Sequence, residues 1–395
     1  MTVETPRTGL PRHGLLREIT DRAVLDQVLE KGQVTRAELA AATGISKPTI
    51  SESVRRLTDS GALAAAGSRT GLRGRVATVY ELATGAGWVL ALQLDQAGIG
   101  FRATDLAGSP FFEGRQPPVR VGDGTALATS LRTTVQSAVV AADGRGPLGA
   151  VALSVANPVD PKTSQIVDMP HSPFPEGVIQ PARVLAGLVA APVLIENDVN
   201  LEALAERLGG AAMGVDSFAY LHLGAGFGLG LYVGDRLIRG AHGMAGEIGY
   251  VSVGSDPPNG PGGDRWQRGD LAQMVAAAGF GRPDAPSNDV AAVLATFTRA
   301  KRGEPSASVA AAAFGTMIAQ AIVAVCAVAD PDLVLVGGPI GAPPGLLGQL
   351  RTEVAQQFPG PVRIEQAALG PGAPLVGALH LALELGRSRL LTPGA

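Results

Sequence analysis

The stretch Leu221 to Tyr250, LHLGAGFGLGLYVGDRLIRGAHGMAGEIGY, decides how the rest of the chain is read. Gly224, Gly226, Gly228 and Gly230 alternate in it with Ala225, Phe227, Leu229 and Leu231. A period of two predicts extended chain, and glycine at every second position strips one face of side chains. Another backbone or a ligand can then approach that face closely. Gly234-Asp235 reads as a hairpin turn before Arg236–Ile238. Ala245-Gly246-Glu247 sets a carboxylate among small residues. On spacing alone, the favoured reading is a tightly packed hairpin in a parallel-sheet core.

The wording of the stretch adds to this. It resembles the signature of the ROK family (repressors, open reading frames and sugar kinases), in which LGxGxGxG runs through a G-L-x-x-G turn into G-x-x-G-x-AGE-x-G-H. Here the final His is Tyr250. The resemblance implies that the element joins a phosphate-side glycine loop to a sugar-binding glutamate in a cleft between two lobes. Glu247 stands at the glutamate's position.

A chain of 395 residues has room for two or three domains. Hydrophobic residues make up 46% and charged residues 17%, which is a globular profile. The net charge of −3 hides an asymmetry: residues 1–80 carry 12 Lys+Arg against 8 Asp+Glu, and the rest carries 20 against 27. A basic front end on an acidic body suggests a nucleic-acid module joined to something else. Cys326, the only cysteine, excludes an intrachain disulfide and a cysteine-based zinc site within one chain. It reads as an inert core residue. No signal-peptide core opens the chain, and no apolar run reaches the ~20 residues of a membrane span. The expectation is a cytoplasmic protein with no membrane partner.

Residues 1–14 read as a mobile arm. Thr20 can cap a helix that buries Val24, Leu25, Val28 and Leu29 and ends at Lys31-Gly32. Thr35-Arg36-Ala37-Glu38 is a capping box, opening a short helix with Leu39 inward. Thr43-Gly44-Ile45 turns the chain, and Ser46 caps the next helix, with Pro48 tolerated in its first turn. Ile50, Val54 and Leu57 face the core, leaving Lys47, Thr49, Ser51, Glu52, Arg55 and Arg56 outward. This is a helix-turn-helix. Gly61–Ala66 and Val76–Leu82 flank GSRTGLRGR, a β-wing whose tip carries Arg69, Arg73 and Arg75. Arginines on such a tip can reach phosphates or a minor groove. The competing reading is a solvated hairpin beside an unrelated pair of helices. The segment also resembles the winged helix that precedes the ROK domain in the family's regulators, down to Gly74-Arg75-Val76-Ala77 and Tyr80. The expected DNA contacts are Ser46, Lys47, Thr49, Ser51, Arg55, Arg69, Arg73 and Arg75.

Beyond the linker 83–87, strands are expected over Trp88–Asp95, Gly98–Asp105 and Phe111–Arg115, a helix over Thr125–Ala141, and a strand over Leu148–Val155. A turn-rich loop over Asn157–Met169 follows, then a strand over Val193–Ile195 and a helix over Asn200–Leu208. From residue 217 a strand and the glycine-rich hairpin open a second unit. Helices over Asp270–Ala278, Asp289–Lys301 and Ser306–Val328, a strand over Leu333–Val336 and a helix over Ala373–Leu385 complete the reading. Sequence alone supports alternating α/β. The resemblance implies more: a winged helix-turn-helix over 15–83, then a two-lobed, actin-like (ribonuclease H-like, sugar-kinase-type) ROK domain. Its first lobe would span 84–209 plus a returning helix over 371–388, and its second 210–370.

Glu196-Asn197-Asp198 lies between a strand end and a helix start, where α/β folds collect ligands. A carboxylate and an amide together can satisfy adjacent sugar hydroxyls. A helix cap is the alternative. The family's E-N-D-x-N pattern, intact here through Asn200, favours sugar contact by Asn197, Asp198 and Glu247. Asp168 stands where the family's kinases often carry a contacting Asn. In those kinases the counterpart of Asp198 is the catalytic base. His242 reads as a loop histidine. The resemblance implies zinc held by a His, here Tyr250, and by cysteines that Gly254–Gln267 does not contain. No metal and no cofactor are expected. Trp266 can anchor that loop or stack on a sugar, and the anchor is favoured.

The family's kinases carry D-x-G-G-T where phosphates bind. Here the stretch is Asp95-Gln96-Ala97-Gly98-Ile99, and Ala225 replaces a usual Thr. A retained base contributes ~10²–10⁴ in rate, whereas reactant alignment can contribute ~10⁵ or more. Losing the cradle while keeping Asp198 predicts a binder rather than an enzyme. The expected protein is a sugar-responsive DNA-binding regulator, a repressor, acting as a homodimer or homotetramer on double-stranded operator DNA with a small sugar-like effector. The alternatives are a ROK sugar kinase with an appended DNA module, and a regulator that has lost ligand control.

Overall fold

The computed structural model describes residues 13–70, 76–120, 122–167, 169, 179–253, 280–282 and 285–391. Of the arm expected over 1–14, residues 1–12 lie outside the described residues and 13–14 already belong to the first helix; Arg73 and Arg75, Asp168, the loop over 254–267 with Trp266, and the helix over 270–278 also lie outside them.

The N-terminal unit contains α1 (His13–Lys31), β1 (Val34–Thr35), α2 (Arg36–Thr43), α3 (Lys47–Asp59), β2 (Leu63–Thr70) and β3 (Val76–Leu82). Thr20 does not cap α1. The helix begins at His13, and the Thr20 hydroxyl instead donates to Leu16 O at 2.8 Å. The capping box of α2 is complete, and Gly44 takes φ 69° at its C-cap. Ser46 makes no backbone cap; its hydroxyl meets Thr49 Oγ1 at 2.8 Å. Val24, Leu25, Leu39, Ile50, Val54 and Leu57 form one buried core under the three-stranded sheet β1-β3-β2.

Two five-stranded mixed sheets follow. The first has order β6-β5-β4-β7-β8, from β4 (Trp88–Asp95), β5 (Gly98–Asp105), β6 (Pro110–Gln116), β7 (Leu148–Val155) and β8 (Val193–Asn197). The meander β4-β5-β6 is antiparallel, and β7 and β8 join in parallel. Its helices are α4 (Gly124–Ala141), α5 (Pro181–Leu185) and α6 (Asp198–Gly209). The second sheet has order β11-β10-β9-β14-β15, from β9 (Phe218–Leu223), β10 (Phe227–Val233), β11 (Arg236–Leu237), β14 (Leu333–Gly337) and β15 (Arg363–Gln366). Between them lie the small hairpin β12 (Gly281–Arg282) and β13 (Ala285–Asn288), and α7 (Val290–Lys301), α8 (Pro305–Ala329) and α9 (Leu346–Gln357). The chain closes with α10 (Ala373–Leu391), which returns to pack on β4, β7 and α6.

The glycine alternation is extended only in its second half. Gly224 and Gly226 form the turn between β9 and β10, closed by Gly224 N donating to Gly226 O at 3.0 Å. Gly228 and Gly230 lie in β10, and the face they leave bare is filled by α6 rather than by a ligand. A Cβ at Gly228 would lie 2.7 Å from Val199 Cγ2, and one at Gly230 2.6 Å from Ala203 Cβ. Gly234 and Asp235 take φ 56° and 64°, the double positive φ of a type I′ hairpin turn.

One expectation about apolar runs is corrected. α8 is 25 residues long and, by length and composition, apolar enough to cross a membrane, with 56% of its most apolar window buried. Phe314, Ile318, Ile322 and Cys326 pack on the second sheet.

Candidate functional site

β8 ends at Asn197, and its side chain is the N-cap of α6. Asn197 Oδ1 accepts from Val199 N at 3.0 Å and Asn200 N at 3.1 Å, and its amide group donates to Ala156 O and Asn157 O. The amide is thus committed to the backbone, as the helix-cap alternative requires. Asp198, the first residue of α6, projects into a cavity of about 890 Å³. Asn197 and Glu247 line the same cavity, so three of the four expected sugar contacts converge there.

Glu247 arrives through a tight loop after β11. Gly246 takes φ 92°, and a Cβ on it would collide with Leu229 O, so the backbone passes where only glycine fits. Leu229 N donates to Gly246 O at 2.9 Å, pinning the loop to β10. Burial pushes the Glu247 carboxyl up to about 7, because an ionised carboxylate loses hydration there. Tyr250 lies at the rim, 58% exposed. His242 is exposed.

Asp95, Gln96, Ala97, Gly226 and Gly338 also line the cavity. The Asp95 carboxylate accepts from Arg115 at 2.7 Å, from Ala97 N at 2.8 Å and from Gln93 at 2.8 Å. The glycine turn is clamped from behind by Asn288, which donates through its amide to Gly224 O and through its backbone to Ala225 O.

Sequence reasoning gave His222 no role and named Glu196 only as part of its motif. His222 of β9 bonds through Nδ1 to Glu202 Oε2 of α6 at 2.8 Å. Burial alone would lower its pKa, but the Glu202 carboxylate and the Asp198 charge outweigh it and hold it up at about 9. Glu196 is buried and accepts from Arg239 at 2.5 Å and Asn200 at 2.9 Å. It joins the first sheet to the segment after β11.

On the N-terminal unit, Ser46, Lys47, Thr49 and Arg55 are exposed and Ser51 is half-buried. Arg55 pairs with Glu52 at 2.7 Å and Asp59 at 3.0 Å. Arg56, expected outward, turns inward to Asp21 at 2.6 Å. Arg69 is held by Glu38 at 3.0 Å.

A ROK family model matches residues 123–385. The chain belongs to the ROK family. A winged helix-turn-helix DNA-binding model matches residues 17–63, so this ROK protein joins a winged helix to an actin-like, sugar-kinase-like fold. It is 25% identical over 244 residues to a putative xylose repressor of Caldicellulosiruptor sp. strain Rt8B.4, covering 61% of this chain and 60% of the relative. The chain therefore spans about three fifths of the length of that relative. Among solved structures, a ROK family transcriptional regulator described as a homolog of the E. coli MLC protein superposes with TM-score 0.69 at 18% identity, over 95% of this chain and 98% of that one. A ROK hexokinase from Thermus thermophilus superposes with TM-score 0.58 at 26% identity, over 75% and 99%.

Proposed function

We propose that this ROK protein is a sugar-responsive DNA-binding repressor whose cavity binds a sugar or sugar derivative and whose winged helix binds operator DNA. The observation that carries this reading is a continuous packed connection between the two. Asp198 opens α6 in the cavity, Leu201 of α6 packs with Ala378 and Ala382 of α10, and Leu390 and Leu391 at the end of α10 pack against the winged-helix core. A ligand shifts a DNA-binding state only by its differential affinity for two conformations, and such a connection gives those conformations a physical link. The xylose-repressor relatives make D-xylose the first effector to try. The division into 15–83, 84–209 with 371–388, and 210–370 is part of this proposal, as are the sugar contacts Asp198 and Glu247 and an oligomer on a two-fold site.

A second reading is a sugar kinase with an appended winged helix. Asp198 and the turn residues Ala225 and Gly226, lining one cavity, favour it. Against it stand Ala97, Ile99 and Ala225 at positions where phosphate contacts are expected, since phosphoryl transfer depends on positioning and charge stabilisation.

The test combines DNA selection from random duplexes, a thermal-shift screen of aldoses and amino sugars, and coupled ADP release. The repressor reading expects a sugar that binds, changes DNA affinity and is not turned over. ATP-dependent turnover abolished by Asp198→Asn would establish the kinase. A protein that binds DNA but no sugar would be a regulator without ligand control.

A further inference from the structure

We infer that His222 is a ligand-contacting residue, donating from Nε2 to an oxygen of an uncharged polyol whose neighbouring hydroxyl donates to Asp198. This rests on the sugar-binding reading above and adds to it a donor and a ligand class.

The ring sits inside the cavity wall with its side chain one fifth exposed. Its two nitrogens have different surroundings. Nδ1 meets the Glu202 carboxylate, which is almost wholly buried, at 2.8 Å. Glu202 is fixed in turn: it follows Asp198 by one helical turn of α6, and, after burial itself, its carboxylate acts on the buried Tyr220 hydroxyl closely enough to help push that phenol's pKa up. Nε2 points the other way, towards the turn between β9 and β10. A Cβ at Gly224 would lie 2.5 Å from it, so the missing side chain of Gly224 is what lets the ring reach this position.

The protonation state follows from these neighbours. With Glu202 beside it and the Asp198 charge nearby, the imidazole keeps its proton at neutral pH. Both nitrogens then carry hydrogens. Nδ1–H is used by Glu202, and among the described residues Nε2–H has no hydrogen-bond acceptor. A partly buried N–H without an acceptor is a standing cost that a ligand oxygen would remove.

Charge decides which oxygen. Glu202 already neutralises the ring, and Asp198 leaves the trio with a net negative charge. A phosphate or carboxylate placed there would meet two carboxylates for one imidazolium. A hydroxyl oxygen meets no such penalty, and its own proton can pass to an acceptor beside it. Asp198 and His222 together thus present an acceptor and a donor to a vicinal diol, a fixed pattern for two adjacent hydroxyls.

The experiment uses the full-length protein. Xylose, glucose, galactose, N-acetylglucosamine and their phosphate esters are screened by thermal shift. The tightest binder and its monodeoxy analogues are then titrated calorimetrically against wild type, His222→Gln and, as a second variant in case that one folds poorly, His222→Asn. The expected result is a loss of about 10- to 100-fold for the parent sugar, with one deoxy analogue that binds wild type and variant equally. That coupling marks a direct contact, which a merely structural role would not produce. Parent binding within twofold of wild type overturns the inference. So does an equal loss across every deoxy analogue, or tighter binding of the phosphate ester than of its parent. Wild-type silence across the whole panel instead sinks the sugar reading on which this rests.

Discussion

Arg69 on the wing strand β2 donates to Glu38 of α2 at 3.0 Å, while the same Glu38 closes the capping box by accepting from the Thr35 amide at 2.7 Å. The wing and the first helix of the helix-turn-helix therefore share one carboxylate. The Thr35 backbone hydrogen bond is the main reason the Glu38 pKa is lowered, with Arg69 contributing less.

This arrangement separates two kinds of cation. Lys47, at the exposed start of α3, has no ion pair among the described residues and is free to meet a phosphate. Lys47→Ala is expected to reduce the slope of log affinity against log salt by about 0.9. Arg69→Ala is expected to change the slope by clearly less, because its charge is already matched, and to weaken DNA binding by loosening the wing. Salt titrations of both variants on one selected duplex check this. Equal slope changes would return Arg69 to the phosphate contacts.

Glu247 makes the stability of the fold depend on pH. Its folded pKa, about 7, lies above its ordinary value of 4.5. The folded state then holds more protons than the unfolded one between these values, so stability falls as pH rises from about 4.5 through 7. The stability lost across that window is about 3 kcal/mol. Glu247→Gln should flatten the dependence of melting temperature on pH across that window. Sugar hydroxyls donating to the carboxylate would favour its ionised form, so binding at pH 7 should release a fraction of a proton. Calorimetry in buffers of different ionisation enthalpy measures it, and release that persists in Glu247→Gln would assign the proton elsewhere.

Glu196 and Arg239 give an asymmetric pair of variants. The carboxylate is 7% exposed and bridges the end of β8 to the segment after β11. Arg239→Ala leaves a buried charge with a lost partner and is expected to destabilise by about 3 kcal/mol. Glu196→Gln removes the charge while keeping an acceptor for Asn200, and should cost about 1 kcal/mol. Denaturant midpoints at matched m-values decide it. Equal effects would mean that Glu196 is better hydrated than its burial implies.

Local chemistry was the legible part of the sequence. The capping box at Thr35, the positive φ at Gly44 and the Gly234-Asp235 turn each depend on residues within a few positions, and each is where the pattern put it. The start of α1 was misread because Leu15, Leu16 and Ile19 are at least half exposed, so its first turns show no buried stripe. β15 was missed because only Ile364 of its four residues is buried, which leaves no alternation to see. The cavity was legible in Asp198 and Glu247, which carry motif words. His222 and Glu202 are 20 positions apart on different elements, and neither period nor motif joins them. Arg56 and Arg69 likewise looked free because their partners, Asp21 and Glu38, come from other elements.

Leu390 and Leu391 are only partly buried, yet they pack against the core formed by Val24, Leu25, Ile50 and Leu57, and Leu390 also touches the cluster under the first sheet. Arg22 of α1 lies 3.9 Å from Glu384 of α10, an exposed pair that contributes little by itself. The apolar contact is thus a stronger tie than the ion pair at this joint, beside Leu82, which also packs against both clusters. Truncating both leucines to alanine should cost about 1–3 kcal/mol, less than for fully buried leucines. It should leave sugar affinity within about twofold of wild type, because the part of α10 that lines the cavity is Pro374, at the opposite end of the helix. DNA affinity without sugar should also stay close to wild type, since α3 and the wing keep their own core. What should disappear is the difference between DNA affinities measured with and without sugar, because coupling needs an element that both sites bias. Electrophoretic shift and calorimetry on Leu390→Ala/Leu391→Ala measure all three quantities. A full sugar response in that variant would mean that the signal leaves the cavity by another route, with the linker at 83–87 as the remaining connection to test.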